Sequence, residues 1–425
     1  MTVHDVLGIG FGPGGIALAA ALEEEAPQLS CLFLEARETA AWQPGMLLRG
    51  SDTQHHPSRD LATLRDPRSR YTFLNYLHET GRLVGFLNLP AHFPLRRDYA
   101  RYVTWVAQQL SGSVRYSAQV VDIAVESGHH VVTTSDGSSF RGRALVIGTG
   151  RSPYVPSIFE GVLGDSVFHS SEYLWRIAAR REALRRPLTV AVVGGSQSAA
   201  ELALDLHSGS TDRVIAVTRG FGYRQKDTSP FSEEAYFPEH TDYYYNATPA
   251  ARASLDAQLR PSNYSSVDLD VLEDLYLRRY EDSIDGQERL LLRRNQEVTN
   301  LVAGETVRLD LASTVTREHS HVDADVVILA TGYRDLGPAE HQEPFPAVLA
   351  PLVSLLDTDS DGVLRVERDY FVPGRAADMV PVFLNGLCES THGLGDSGSF
   401  SLLSLRARTL VEGIRKHLAG TVVAD

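Results

Sequence analysis

Two glycine-rich runs in this chain have the spacing of turns that present backbone amides to a pyrophosphate. Gly8-Ile9-Gly10-Phe11-Gly12-Pro13 follows the apolar run Val6-Leu7 and opens into Ile16-Ala17-Leu18-Ala19-Ala20-Ala21-Leu22. Gly194-Gly195-Ser196-Gln197-Ser198 follows Val190-Ala191-Val192-Val193 and opens into Ala199-Ala200-Glu201. Glycine permits the tight strand-to-helix turn, and the helix N-terminus adds its partial positive charge to the exposed amides. One such turn is a weak signal. Two of them suggest two dinucleotides meeting across a cleft, the layout a flavin needs if a nicotinamide is to reduce it.

The residue that ends the next apolar run distinguishes the two sites. Cys31-Leu32-Phe33-Leu34 ends in Glu35, about 20 residues past the turn, where a carboxylate can grip a ribose hydroxyl. FAD is expected there, on Gly8, Gly10, Gly12, Pro13 and Glu35. Val214-Ile215-Ala216-Val217-Thr218 ends instead in Arg219, a cation suited to the 2′-phosphate of NADP. NADPH/NADP+ is therefore favoured over NADH at Gly194, Ser196, Gln197, Ser198 and Arg219; a solvated arginine is the plain alternative for the last.

Several chemistries are excluded or disfavoured. The two cysteines, Cys31 and Cys388, form no Cys-x-x-Cys, so a dithiol–disulfide reductase is ruled out. Cys31 is expected as a small core residue in a buried strand. His55 and His56 are adjacent and on a strand would face opposite ways, so no metal site is expected. The formal net charge of −14 argues against a nucleic-acid partner. No apolar run reaches the ~20 residues of a membrane span and no charged leader precedes one, so a free cytoplasmic enzyme is expected.

The elements that must position these residues follow from the same pattern. The expected fold is α/β: two Rossmann-like dinucleotide-binding domains, one inserted into the other, plus a small substrate-binding region. Residues 1–160 and 325–425 are expected to form the discontinuous FAD domain and 161–324 the NADPH domain, with 220–280 contributing to the substrate region. Ala144-Leu145-Val146-Ile147 ends in Gly148-Thr149-Gly150, and Val326-Val327-Ile328-Leu329-Ala330 ends in Thr331-Gly332, a paired ending that fits an insertion. Strand and helix are expected to alternate as far as about 322, broken by an irregular polar insertion over 220–266.

Segments between the glycine turns carry a family likeness. Gly8-x-Gly10-x-Gly12-Pro13, Trp42-x-Pro44-Gly45-Met46, Asp60-Leu61-x-x-Leu64-Arg65-Asp66-Pro67, Phe73-Leu74-Asn75-Tyr76-Leu77, Gln197-Ser198-Ala199-Ala200-Glu201 and Ala330-Thr331-Gly332-Tyr333 occur in that order. With Asn263-Tyr264-Ser265 and Thr391-His392-Gly393-Leu394-Gly395-Asp396, the chain resembles the microbial flavin-dependent N-hydroxylating monooxygenases. These are the L-ornithine N5- and L-lysine N6-monooxygenases, and the chain is closer to the ornithine branch. The resemblance implies N-hydroxylation of a side-chain primary amine, most readily that of L-ornithine, by dioxygen through a C4a-hydroperoxyflavin. It implies siderophore or other natural-product biosynthesis, and a homotetramer.

By matching positions, the resemblance puts Gln54, Trp42 and Met46 along the flavin and Arg96 near flavin and nicotinamide. Asn263 would hold substrate and nicotinamide ribose, and Thr331, Gly332 and Asp396 join the cofactor set. Arg59 stands where the family has a lysine that grips the substrate α-carboxylate, and arginine can do so bidentately; a surface ion pair with Asp60 or Asp66 is the alternative. Glu233 replaces an asparagine that contacts the amino acid, and a carboxylate there would attract a substrate ammonium group. Gln43 replaces a histidine and Gly15 an asparagine. Ser397-Gly398-Ser399-Phe400 is lengthened, and a histidine at 55 or 56 could titrate near the pocket, with a plain surface role the favoured alternative. These departures leave open L-lysine, a shorter diamino acid or another amine. A different two-dinucleotide flavin monooxygenase, or a flavoprotein that only oxidises NADPH, is the reading from another class.

Overall fold

The computed structural model describes residues 2–91, 93–376, 379–396 and 398–420. A first sheet places the parallel strands in the order Val114–Arg115, Cys31–Leu34, Val3–Ile9, Ser139–Ile147, Val382–Leu384. Phe371–Val372 closes one edge antiparallel, and a hairpin of Val120–Glu126 and His129–Thr134 hangs from the first half of Ser139–Ile147. Its central strands are apolar on both faces because layers cover both: Val6, Leu7, Ala144, Leu145 and Ile147 are fully buried. Helix Pro13–Glu25 starts on proline, whose missing N–H costs nothing at that position. It is buried from Gly15 to Leu22 and lies against helix Leu403–Gly420. Cys31, expected in the core, is half-buried at the sheet margin.

The second sheet is wholly parallel, in the order Leu290–Arg293, Arg213–Val217, Thr189–Val193, Val326–Leu329, Val167–His169. Its side chains sort with the two-residue period of a strand. Val190, Val192 and Ile328 face helices Tyr173–Leu184, Gln197–Gly209 and Leu269–Ile284. Ala191, Ile215, Val327 and Leu329 face a separate antiparallel sheet of Gln296–Ala303, Val307–Ser313 and His319–Ala324. Residues 296–324 thus form strands alone, where strand and helix were expected to alternate.

Two expectations about the second domain need correction. Val326–Leu329 pairs with Thr189–Val193, so the chain leaves this sheet after Leu329 and not at 325. The outgoing and returning crossings lie side by side: Tyr154 N donates to Gly332 O (2.9 Å) and Arg334 N to Ser152 O (2.8 Å). The segment expected to be irregular over 220–266 contains helices Pro230–Glu233, Pro238–Tyr245 and Pro249–Leu259. Each opens on a proline, and Ser229 and Thr248 cap the N–H groups of Ser232 and Ala251.

Candidate active site

The two glycine turns are built alike. Gly10 has φ +93°, and a Cβ there would stand 2.4 Å from Gly148 O; Gly194 has φ +154°, with its Cβ 2.4 Å from Ala330 O. Each therefore needs glycine twice over, for backbone conformation and for the close approach of the next strand's end. These neighbours belong to the paired endings Gly148-Thr149-Gly150 and Ala330-Thr331-Gly332. Gly8 lies under the Phe33 ring, whereas a Cβ on Gly12, at the N-cap of helix Pro13–Glu25, would meet nothing within 4 Å. The helix terminus is thus open where a pyrophosphate would approach. Glu35 Oε2 accepts from Phe11 N (2.7 Å), putting the carboxylate against this loop.

Buried donors support the fit to a flavin nucleotide. Gln54, held at φ +59°, has a buried Nε2 with no hydrogen-bond partner among the described residues, and so does Asn385 Nδ2. Asn385 lies over Gly14, its Oδ1 taken by Arg406 Nε at 3.1 Å. Buried unpaired amides are costly, and a bound acceptor would relieve them. Sequence reasoning missed Asn385, which follows an ordinary buried strand. Asp396 is fully buried; its Oδ1 accepts from Tyr370 Oη (2.7 Å) and Arg406, bracing the turn from within, while its Oδ2 has no hydrogen-bond partner among the described residues.

The wall between the turns is an aromatic cluster. Trp42 meets Tyr99 and Phe400 edge-on at 5.8 and 5.1 Å, and His55 packs on the same two rings. The Asp60–Asp66 motif is structural. Buried Asp60 accepts from Ala62 N, Thr63 N and Phe73 N, and Arg65 pairs with Glu24 and Glu25. Together with Tyr99 Oη, which donates to Arg59 O at 2.8 Å, this frame fixes where Arg59 begins. Burial lowers the His55 pKa to about 4, so it is neutral near pH 7 and is not the titrating group of the His55–His56 pair.

Arg59 pairs neither with Asp60 nor with Asp66. Its Nη1 reaches Glu233 Oε2 at 3.4 Å and Ser401 Oγ at 3.2 Å, over the Tyr236 ring. The two departures from the family pattern therefore face each other. Tyr236 Oη donates to Ser262 O (3.2 Å), which brings half-buried Asn263 to the same cleft, its backbone N–H held by Arg260 O at 3.2 Å. Of the lengthened segment, Ser397 lies outside the described residues, while Gly398 backs onto Arg151 and Phe400 and Ser401 line the cleft.

At the domain junction, Arg96 donates from Nη1 to Met46 O (3.2 Å) and pairs with Glu201 through both nitrogens at 2.9 Å. Met46 is buried in the second domain's core, and Gln43 lies exposed at the start of its turn. Both ends of the Gln197 amide are used: Nε2 donates to Glu201 Oε1 (2.9 Å) and Oε1 accepts from Asp268 N (2.8 Å). Ser196 Oγ donates to Ser266 O, and Ser198 is half-buried in the first helical turn. Arg219 is exposed just beyond strand Arg213–Val217. Thr331 Oγ1 donates to Tyr154 O, joining the crossings. Burial raises the Asp268 pKa to about 6, with Asp52, Asp270 and Glu201 adding to the rise and Lys226 opposing it.

The model of the family described as L-lysine 6-monooxygenase/L-ornithine 5-monooxygenase matches residues 2–335. The chain belongs to this family. An L-ornithine N(5)-monooxygenase of Pseudomonas aeruginosa is 34% identical over 432 residues, covering 98% of this chain and 94% of that protein. The ornithine N-hydroxylase of Kutzneria sp. 744, solved with reduced FAD, NADP+ and L-ornithine, superposes with a TM-score of 0.90 at 33% identity, covering 98% of this chain and all of that one. An L-lysine 6-monooxygenase of Pseudomonas syringae gives 0.85 at 35% identity, over 97% of this chain and 99% of its own. A family monooxygenase of this kind uses FAD and NADPH, and the two glycine turns are where this chain's residues fit them. No helix of the described residues is long and apolar enough to cross a membrane.

Proposed function

We propose that this monooxygenase hydroxylates the side-chain amine of a free α-amino acid, with L-ornithine as first substrate, in siderophore or related biosynthesis. The observation that carries the substrate reading is the Arg59–Glu233 pair across the cleft. An α-amino acid has a carboxylate for Arg59 and an ammonium for Glu233, so it can exchange partners with both at once. The arrangement also assigns the ends. An amine beside Glu233 is held protonated and unreactive, which suits the α-ammonium and leaves the distal amine to lose its proton. Asn263, on the loop beside the cleft, serves substrate and nicotinamide ribose.

When bound, FAD reduced by NADPH supplies the activation of dioxygen. Trp42, Met46 and the Gln54 amide hold the flavin wall, Gln43 borders it, and Arg96 stands at its junction with the nicotinamide. Phe400, Tyr99 and neutral His55 exclude water from one side. The pyrophosphates lie on Gly8, Gly10, Gly12 and Pro13, and on Gly194, Ser196 and Ser198. Glu35, Thr331, Gly332 and Asp396 shape these sites directly or as braces, with residues 220–280 forming much of the substrate region. The enzyme works as a homotetramer, as the family resemblance implies, and in the cytoplasm, as its acidic charge balance suits.

Hydroxylamine formation, NADPH consumption and peroxide release across ornithine, lysine, 2,4-diaminobutyrate and putrescine test this reading. Coupled hydroxylamine from one diamino acid supports it, whereas peroxide alone with every amine overturns it. Arg219→Ala is expected to raise the KM for NADPH on the order of 10-fold while changing that for NADH little, the loss of one exposed charged contact to phosphate. Equal changes for both nucleotides remove Arg219 from the 2′-phosphate.

A further inference from the structure

A connected set of polar contacts runs from the flavin wall to the substrate loop, and its centre, Glu201, has no role in the reading above. The Glu201 side chain is 7% exposed and that of Arg96 10%. Glu201 Oε2 takes Arg96 Nη1, and Oε1 takes both Arg96 Nη2 and Gln197 Nε2, all at 2.9 Å. On one side Arg96 continues to Met46 O, in the turn that packs into the second domain's core. On the other, Gln197 Oε1 receives Asp268 N, at the start of helix Leu269–Ile284 and just past the loop that carries Asn263. The same loop is pinned by Ser196 Oγ on Ser266 O (3.2 Å) and by Val267 N on Arg224 O (2.8 Å).

We infer that Glu201 is a positioning residue for hydride delivery, fixing the Arg96 guanidinium at the domain junction and tying it through Gln197 to the Asn263 loop. The inference rests on Arg96 standing between flavin and nicotinamide, not on which amine is hydroxylated. A guanidinium held by a carboxylate through both terminal nitrogens has one plane and one position. Arg96 springs from the first domain and Glu201 from the NADPH-domain helix that follows Gly194-Gly195. The pair therefore sets the two nucleotide sites against each other at the point of transfer. Gln197 is consumed in this link, so its side chain acts on the cofactor through position and not by contact.

Glu201→Gln keeps the shape but turns an amide donor towards a guanidinium donor, so one of the two contacts with Arg96 is lost. The expected result, by anaerobic stopped-flow at saturating NADPH, is flavin reduction slowed on the order of 100-fold, the cost of an ångström-scale misplacement of reacting groups. Dithionite reduction, which needs no nucleotide geometry, should be unaffected, and the Kd for NADP+ read from the flavin absorption change should shift less than about 3-fold. A merely structural staple is separated by the double variant Arg96→Met/Glu201→Met. Apolar replacement of a buried ion pair commonly restores stability, so its Tm should recover towards that of the parent while slow reduction persists. Recovery of both Tm and reduction rate in the double variant overturns the proposal, as does a Glu201→Gln loss confined to nucleotide affinity. Because no amine is present, this outcome and that of the amine panel are independent.

Discussion

Arg59→Ala is expected to raise the KM for L-ornithine about 30-fold, and to do so far more than for putrescine, which lacks the α-carboxylate. A charge-assisted contact to a carboxylate contributes about 2 kcal/mol, which converts to that factor. The Arg59–Glu233 contact does not compete strongly with the substrate. Its side chains are 21% and 29% exposed and meet through one nitrogen at 3.4 Å, and such a pair contributes about 1 kcal/mol or less. A substrate carboxylate that engages Arg59 through two nitrogens therefore displaces Glu233 at small cost, and the α-ammonium recovers it. Glu233→Gln should weaken ornithine by a smaller factor, since a neutral amide oxygen still accepts from the ammonium. Steady-state measurements on both amines decide the matter. Equal losses for ornithine and putrescine in Arg59→Ala would sink the clamp and leave Arg59 as a structural partner of Glu233 and Ser401.

That pair also marks the limit of what the sequence could disclose. The glycine turns, the strands leading into them and the order of the segments were legible because each is a local signal: apolar run, turn residue, helix former. Arg59 and Glu233 were each legible as departures, but not as partners, because 174 residues separate them and only the return of the chain past Ser401 closes the cleft between them. Asp60 and Arg65 were legible only as members of a family segment; their role is framework, satisfying backbone amides and the end of helix Pro13–Glu25. Glu201 sat unremarked inside a quoted motif because its meaning lies in Arg96, on another domain. The antiparallel sheet of residues 296–324 was missed for a different reason. Val307, Leu309 and Leu311 alternate as a strand should, yet the stretch reads as strand and helix in alternation, continuing the pattern before it. The proline-led helices of the 220–266 segment were hidden by their polarity, since the exposed ones have no apolar stripe to show.

Four histidines, His55, His130, His169 and His392, have pKa values lowered by burial to about 4, and together they should make the enzyme acid-labile well above the carboxylate range. Each is neutral in the folded chain and takes up a proton on unfolding once the pH falls below about 6.5. Their stabilising contribution is thus intact above pH 6.5 and is lost as the pH falls towards 4. At about 1.4 kcal/mol per pH unit for each, the step from 6.5 to 5 removes about 2 kcal/mol per histidine, or roughly 8 kcal/mol in all as an upper bound. Asp268 works the other way. Its pKa, raised to about 6, means that its burial destabilises the fold at high pH and is relieved on acidification. One carboxylate regains about 1 kcal/mol between pH 6 and 5 against four imidazoles. Asp52 and Asp60, also raised by burial, act in the same direction as Asp268. The Tm, followed by release of flavin fluorescence, is therefore expected to fall by about 10 °C between pH 7.5 and 5. His130 gives the internal control, because it lies away from the cleft with Nε2 donating to Val380 O and Pro381 O at 3.2 and 3.1 Å. His130→Gln keeps a donor there and removes one titration, so it should lower the Tm at pH 7.5 but flatten its dependence on pH by about a quarter. A Tm that holds or rises on acidification would show that the buried carboxylates, and not the imidazoles, govern stability in this range.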